Sequence, residues 1–191
     1  MLLAKPALKA NQPFVLMLGD HLYRSSHETG SSCVAQLLRA YDGTSLMALR
    51  RTAEADVCHF GCATGKWEVR RAEIDYKRLS LTNVVEKPTV GYARASLRTP
   101  GLKGEYLTAF GLYVIHGASI FNYLEQHETA RKQTGPTAGL LQLTPALDAL
   151  RAESGLGGVL LDGERYDIGG EPTTYLNTLN ALARPVPRDA S

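Results

Sequence analysis

The chain lacks the features that would direct it into a membrane, out of the cell or onto nucleic acid. No run approaches the roughly 18 to 20 apolar residues needed to cross a bilayer, so no membrane span is expected. The first ten residues, MLLAKPALKA, carry lysines within an apolar stretch too short for a secretory signal. Only Cys33, Cys58 and Cys62 supply thiols, so at least one stays unpaired, which suits a reducing cytosol. A cytoplasmic setting is the expectation. A net charge of +2 is too small to hold nucleic acid through bulk electrostatics. What is present is ordinary for a folded domain: 191 residues, 44% hydrophobic and 21% charged, enough to bury one substantial core. Residues 1–191 read as a single domain, with 183–191 as a tail.

Metal-binding cysteine motifs are also missing. Cys58-His59-Phe60-Gly61-Cys62 places three potential zinc ligands close together, but the spacing matches no common zinc site and no fourth ligand is in evidence. Thiols buried beside a sheet are the better reading.

Strand-like and helix-like stretches alternate along the rest of the chain. Phe14 to Leu18 is an apolar strand that stops at Gly19-Asp20. A polar, cap-rich stretch, 27–32, precedes helical spacing from Cys33 to Tyr41, which Asp42-Gly43 closes as a turn. Strands are expected at Ser45–Arg50, Lys66–Arg71 and Leu81–Val85, the last ended by Pro88. Residues 88–104, bracketed by Pro88 and Pro100, read as a long loop. Tyr106–Ile115 reads as a strand and Ser119–Arg131 as a helix broken at Gly135-Pro136. A further helix starts near Thr144-Pro145, since proline is tolerated in a first turn. Val159–Leu161 reads as a short strand, and Tyr175–Leu182 ends the ordered chain. The alternation predicts an α/β fold of Rossmann-like type, with a mostly parallel sheet flanked by helices.

Three places along this pattern can carry chemistry. Ligands of open α/β sheets gather at the carboxyl ends of strands, where Asp20 lies, with Gly19 leaving room beside it. A carboxylate there can hold Mg²⁺, which takes one or two protein carboxylates together with phosphate oxygens; the plain alternative is a residue that caps the next turn. Asp167, in Arg165-Tyr166-Asp167-Ile168-Gly169-Gly170, falls at another strand-to-helix junction, with Pro172 at the helix start. It can share a metal with Asp20 or simply form an Asp-Gly turn. Glu86-Lys87, in VVEKP, offers an acceptor for hydroxyls and a cation for phosphate, or is a solvated surface pair.

The ordered set GDHL, HFGC, VVEKP, AFGLYVI, LQLTPALDAL and YDIGGEPTTYL resembles the nucleotidyltransferases that make sugar nucleotides from sugar 1-phosphates. The resemblance is greatest to the UTP–glucose-1-phosphate uridylyltransferase group and spans about residues 14–182. It implies that Asp20 and Asp167 hold a catalytic Mg²⁺, that Glu86 binds sugar hydroxyls and that Lys87 contacts the sugar phosphate. It further implies that Gly61, Ala109 and Gly111, the last in a GLY turn, line the sugar pocket. The implied reaction joins a sugar 1-phosphate and a nucleoside triphosphate, giving a nucleoside diphosphate sugar and pyrophosphate. Such chemistry needs positioning and charge neutralisation more than a protein nucleophile.

Two departures accompany the resemblance. The glycine-rich strand-loop-helix by which the family cradles the triphosphate has no counterpart; Gly155-Leu156-Gly157-Gly158 lies late in the chain and lacks the spacing. Leu140 and Pro145 stand where the family usually has acids around its QLT. A sheet without its first strands leaves an edge and apolar faces open, so a homo-oligomer, or a partner chain supplying the N-terminal half, is expected. The sequence therefore supports a nucleotidyltransferase or its sugar-binding half, with a non-catalytic sugar-nucleotide-binding or structural subunit as the alternative.

Overall fold

A computed structural model of the chain describes residues 1–9, 12–27, 30–69, 77–117, 119–134 and 140–183. The order of elements is β1 (Phe14–Met17), β2 (His21–Ser25), α1 (Cys33–Arg39), β3 (Leu46–Ala53), β4 (Cys62–Trp67), β5 (Lys77–Val85), α2 (Val90–Ser96), β6 (Glu105–Ile115), α3 (Ser119–Thr134), α4 (Thr144–Ser154), β7 (Gly157–Leu160), β8 (Gly163–Asp167) and α5 (Pro172–Ala183). Short 3₁₀ segments cover Leu2–Ala7 and Glu54–His59. The strand expected at Lys66–Arg71 is instead Cys62–Trp67, with Glu68 and Val69 past its end; residues 70 and 71, the Gly135-Pro136 break and the tail from 184 lie outside the described residues.

Six strands form one sheet in the order β1-β6-β3-β7-β5-β4, and β4 also touches β6, so the pairings return on themselves. Over 46–49 in β3 and 109–115 in β6 the residues are apolar at successive positions, because both faces of the sheet are covered there. In β3, Leu46 and Ala48 face one side with Leu112 and Val114 of β6, where α1 contributes Cys33 and Leu37. Met47 and Leu49 face the other side with Tyr113 and Ile115, against Ile120 and Leu124 of α3 and Leu147 and Leu150 of α4. This two-residue alternation is the pleat of the strand expressed in packing. A smaller cluster of Val57, Cys62, Ala93, Leu97 and Tyr106 lies under α2.

Two expectations are corrected here. The sheet is not mostly parallel: β3–β7 is parallel, whereas β1–β6, β3–β6, β4–β5, β4–β6 and β5–β7 are antiparallel. Alternation of strands with helices predicted parallel crossovers, but β6 lies between two antiparallel neighbours, and a helix in a connection does not oblige its flanking strands to run the same way. The 88–104 stretch is not all loop, because α2 starts straight after Pro88. Thr89 caps it, its Oγ1 accepting from the Tyr92 N–H at 3.2 Å.

β2 and β8 form a separate antiparallel ribbon, His21 lying opposite Asp167. Among the described residues β1 pairs with β6 alone, so its outer edge is open, with Val15 and Met17 exposed. Tyr175, Leu176, Leu179 and Leu182 leave α5 with a further exposed apolar surface. No described helix is long and apolar enough to cross a membrane.

Candidate functional site

The ribbon joins the two acids, residues that lie near opposite ends of the chain. Asp20 sits in the tight turn between β1 and β2, where the His21 N–H donates to the Leu18 carbonyl at 3.2 Å. Asp167 ends β8, its Oδ1 accepting from the Gly169 N–H at 2.9 Å in a side-chain turn. The Ile168 N–H donates to the Asp20 carbonyl at 2.8 Å and ties the two turns together. Gly169 is required by this closeness: a Cβ there would stand 2.6 Å from Asp20 Oδ2. Gly19 has open space around its Cα and is not forced by packing.

Between the acids stands a residue that sequence reasoning passed over. His21 Nε2 lies 3.7 Å from Asp167 Oδ2 and 4.0 Å from Asp20 Oδ1, and its side chain is only 7% exposed. Its Nδ1 is buried without a hydrogen-bond partner. Burial, followed by the charge of Arg165, pushes the imidazole pKa below its ordinary value, while the two carboxylates pull it up. The Asp20, His21 and Asp167 donor atoms all lie within 4.8 Å of one another, a spread that one divalent ion can bridge. Among the described residues neither carboxylate pairs with a lysine or arginine. His21 in GDHL was the available signal, since a histidine beside a metal-binding acid is a potential ligand.

Gly111 serves this cluster in an unforeseen way. It lies inside β6 rather than in a turn, at φ +87, where the register against β3 shifts between Met47 and Leu49. A Cβ at Gly111 would stand 2.2 Å from His21 Nδ1, so the missing side chain is the slot in which the imidazole rests. The Tyr23 hydroxyl donates to the Gly111 carbonyl at 2.8 Å and closes the slot from the other side.

The other predicted residues meet at a second centre. Gly61 is buried, with its Cα against Glu86 and Thr144; a Cβ there would lie 3.2 Å from Glu86 Oε2. The Thr144 hydroxyl, at the start of α4, donates to that same carboxylate oxygen. The Ala109 N–H donates to the Gly61 carbonyl at 2.8 Å, and the Ala109 carbonyl accepts from Arg165 Nη1 at 3.1 Å. Lys87 adjoins this centre through its backbone, its N–H donating to the Phe60 carbonyl at 3.2 Å. Its φ of 42 is a left-handed conformation, strained for a side-chain-bearing residue that precedes proline. The Lys87 ammonium is exposed and makes no hydrogen bond or ion pair among the described residues. β6 connects the centres: Ala109 belongs to the second and Gly111 to the first. Leu140 is exposed, whereas Pro145 follows Thr144 in the first turn of α4.

This is a mixed α/β fold with a paired acid centre beside a half-buried glutamate. Solved structures share the architecture. An apo UDP-glucose pyrophosphorylase superposes with a TM-score of 0.71 at 22% identity, over 95% of this chain and 57% of that one. A UDP-glucose pyrophosphorylase complexed with UDP-glucose gives 0.68 at 23% identity, over 95% and 59%. In sequence, a UTP–glucose-1-phosphate uridylyltransferase of Staphylococcus saprophyticus is 29% identical over 162 residues, 83% of this chain and 47% of that protein. No family model matches the chain. The chain is thus similar in sequence and fold to UTP–glucose-1-phosphate uridylyltransferases, and spans about half the length of the curated relatives it matches.

Proposed function

We propose that this chain forms the sugar-phosphate and metal half of a sugar-1-phosphate nucleotidyltransferase, with UTP and glucose 1-phosphate as substrates. The meeting of Asp20 and Asp167 across the β2–β8 ribbon carries the reading, because nothing in the core requires two acids there. Homology to uridylyltransferases supplies the substrate class. Asp20 and Asp167 would hold Mg²⁺, with His21 as a third donor. Two carboxylate oxygens suit that ion, and the imidazole nitrogen also admits a softer divalent metal. Bound there, the ion supplies charge neutralisation for phosphate oxygens.

The chain's own groups do the positioning. Glu86, its carboxylate held by Thr144, accepts from sugar hydroxyls; bare Gly61 and small Ala109 let the ring approach the backbone. Lys87, held at a strained turn and with its ammonium unpaired among the described residues, meets the sugar phosphate. A phosphate oxygen of the sugar then attacks the α-phosphorus of the triphosphate in line. The new P–O bond forms as the bond to the leaving pyrophosphate breaks, so no protein nucleophile is needed. A second chain, either another copy or a partner supplying triphosphate-binding elements, would cover the open edge of β1 and the apolar surface of α5. A monodisperse monomer at every concentration in gel filtration would remove this part of the reading.

The Glu86 centre, whose bonds to Thr144 are made without any metal-binding acid, favours a second reading, a non-catalytic subunit that binds a sugar nucleotide. Calorimetric titration with UDP-glucose, with and without Mg²⁺, tests both. Magnesium-dependent binding that is lost in Asp20→Asn, together with pyrophosphate release from UTP and glucose 1-phosphate, is the expected outcome. Binding without pyrophosphate release selects the second reading. No binding under any condition rejects both.

A further inference from the structure

Close to the acid centre, two half-buried arginines lie together with no carboxylate in ion-pair distance among the described residues. The Arg50 guanidinium carbon lies 4.9 Å from the centroid of the Phe60 ring, and that of Arg165 lies 4.7 Å from it. Arg50 is half-buried and forms no hydrogen bond or ion pair with any described residue. Arg165 has one hydrogen bond, to the Ala109 carbonyl, and no carboxylate within ion-pair distance among the described residues. The Nε atoms of both are buried without a partner. Each has a pKa held below its ordinary value, by burial first, and for Arg165 also by repulsion from Arg50. Two like charges drawn together out of water are costly unless something of opposite charge joins them.

Their surroundings show where it would join. Arg50 and Arg165 border an open cavity of about 630 Å³, to which Arg51 and Lys77 add further positive charge. Asp162 and Glu164 also line it, but the Glu164 carboxylate already accepts from the Tyr166 hydroxyl, and Arg51 answers to Glu105 at 3.6 Å. We propose that Arg50 and Arg165, stacked on Phe60, form an anion subsite that takes a phosphoryl group. The planar guanidinium fork matches phosphate oxygens in pairs, and the aromatic ring holds each fork by cation–π attraction without consuming its donors. Arg165 precedes Asp167 by two positions on β8, so the subsite flanks the acid centre without including its carboxylates. The inference does not need the nucleotidyl transfer proposed above.

Inorganic pyrophosphate is the probe, titrated calorimetrically into the full chain in EDTA so that no divalent ion can bridge it to Asp20 and Asp167. Wild type is expected to bind. Arg50→Met and Arg165→Met are each expected to weaken binding about tenfold or more, charge-assisted pairs being the strong kind, while Asp20→Asn retains it. Arg50→Lys should stay weakened, since a point charge cannot replace the fork. Arg50→Met breaks no hydrogen bond, so it remains a fair test if Arg165→Met fails to fold. Competition by glucose 1-phosphate would assign the phosphoryl group to a sugar phosphate; its absence would assign it to pyrophosphate. Three results overturn the subsite: no binding by wild type in EDTA, wild-type affinity in both methionine variants, or binding that needs Mg²⁺ and vanishes in Asp20→Asn. None of these bears on whether UDP-glucose binds with magnesium, so the two proposals fail separately.

Discussion

The two centres on either side of β6 are built in opposite ways. Around Glu86 the polar groups are already engaged: Thr144 holds the carboxylate, Gly61 and Ala109 share a backbone bond, and small residues leave a shaped wall. Around Asp20 and Asp167 the carboxylates are partly exposed, and a buried imidazole, fixed by packing, lies between them. A wall with its bonds satisfied can recognise a neutral, hydroxyl-rich ligand through shape and a few directed contacts. Acids with open lone pairs are suited to an ion that arrives from solution. The contrast separates recognition from charge handling, and each side can be disturbed alone.

Asp167→Asn is the sharpest way to break the contrast. Losing a primary donor should lower divalent-ion affinity by roughly 100-fold or more, since even outer partners of metal ligands are worth about 10- to 100-fold. A Mn²⁺ titration followed by electron paramagnetic resonance reads this directly. UDP-glucose binding, which is expected to need the metal, should be lost with it, as in Asp20→Asn.

Gly111→Ala attacks the support rather than the donors. The new methyl group would occupy the place of His21 Nδ1, and alanine tolerates a φ of +87 poorly. A stability loss of about 1–3 kcal/mol in urea unfolding is expected, with a parallel fall in Mn²⁺ affinity as the imidazole is displaced. Retained affinity would show that His21 is not a ligand.

Disturbing the other side should leave the metal alone. Thr144→Val removes the hydroxyl that holds Glu86 and should cost about 1 kcal/mol, roughly fivefold, in sugar-nucleotide affinity, with Mn²⁺ binding unchanged. Equal losses at both centres would mean that they are one coupled unit.

The smallest effect is a control remote from either centre. Arg94 and Tyr106 donate to Glu54 and hold its pKa down to about 2, below its ordinary 4.5. A depressed carboxylate stabilises the fold at pH above its unfolded value and loses that contribution as pH falls towards the folded one. Glu54→Gln should therefore flatten the acid side of the melting-temperature profile between about pH 4.5 and 2, without changing ligand binding near neutrality.

Much of this architecture was legible before any coordinate. The stretches 14–18, 45–50 and 106–115 read as strands, and each of them holds a strand of the sheet. The Ser32 cap, the Thr144-Pro145 start and the spacing of Ile120 and Leu124 marked helices that the fold contains. Asp20 and Asp167 stood out as acids at strand ends, and the fold brings them together. Other features left weaker local traces. Thr89 hid the start of α2 between two prolines, and β8 was read only as a junction because five residues carry too little period to declare a strand.

The amino-acid sequence alone determined most of the strands and helices, though not β2, α2 or β8, and which acids are available for chemistry, because those follow from side-chain periodicity, caps and turn residues. Strand direction, the β2–β8 register, the burial of His21 against Gly111 and the gathering of Arg50, Phe60 and Arg165 were decided only by the tertiary structure. They arise from contacts between residues far apart in the chain, and no local pattern encodes how distant segments share one core.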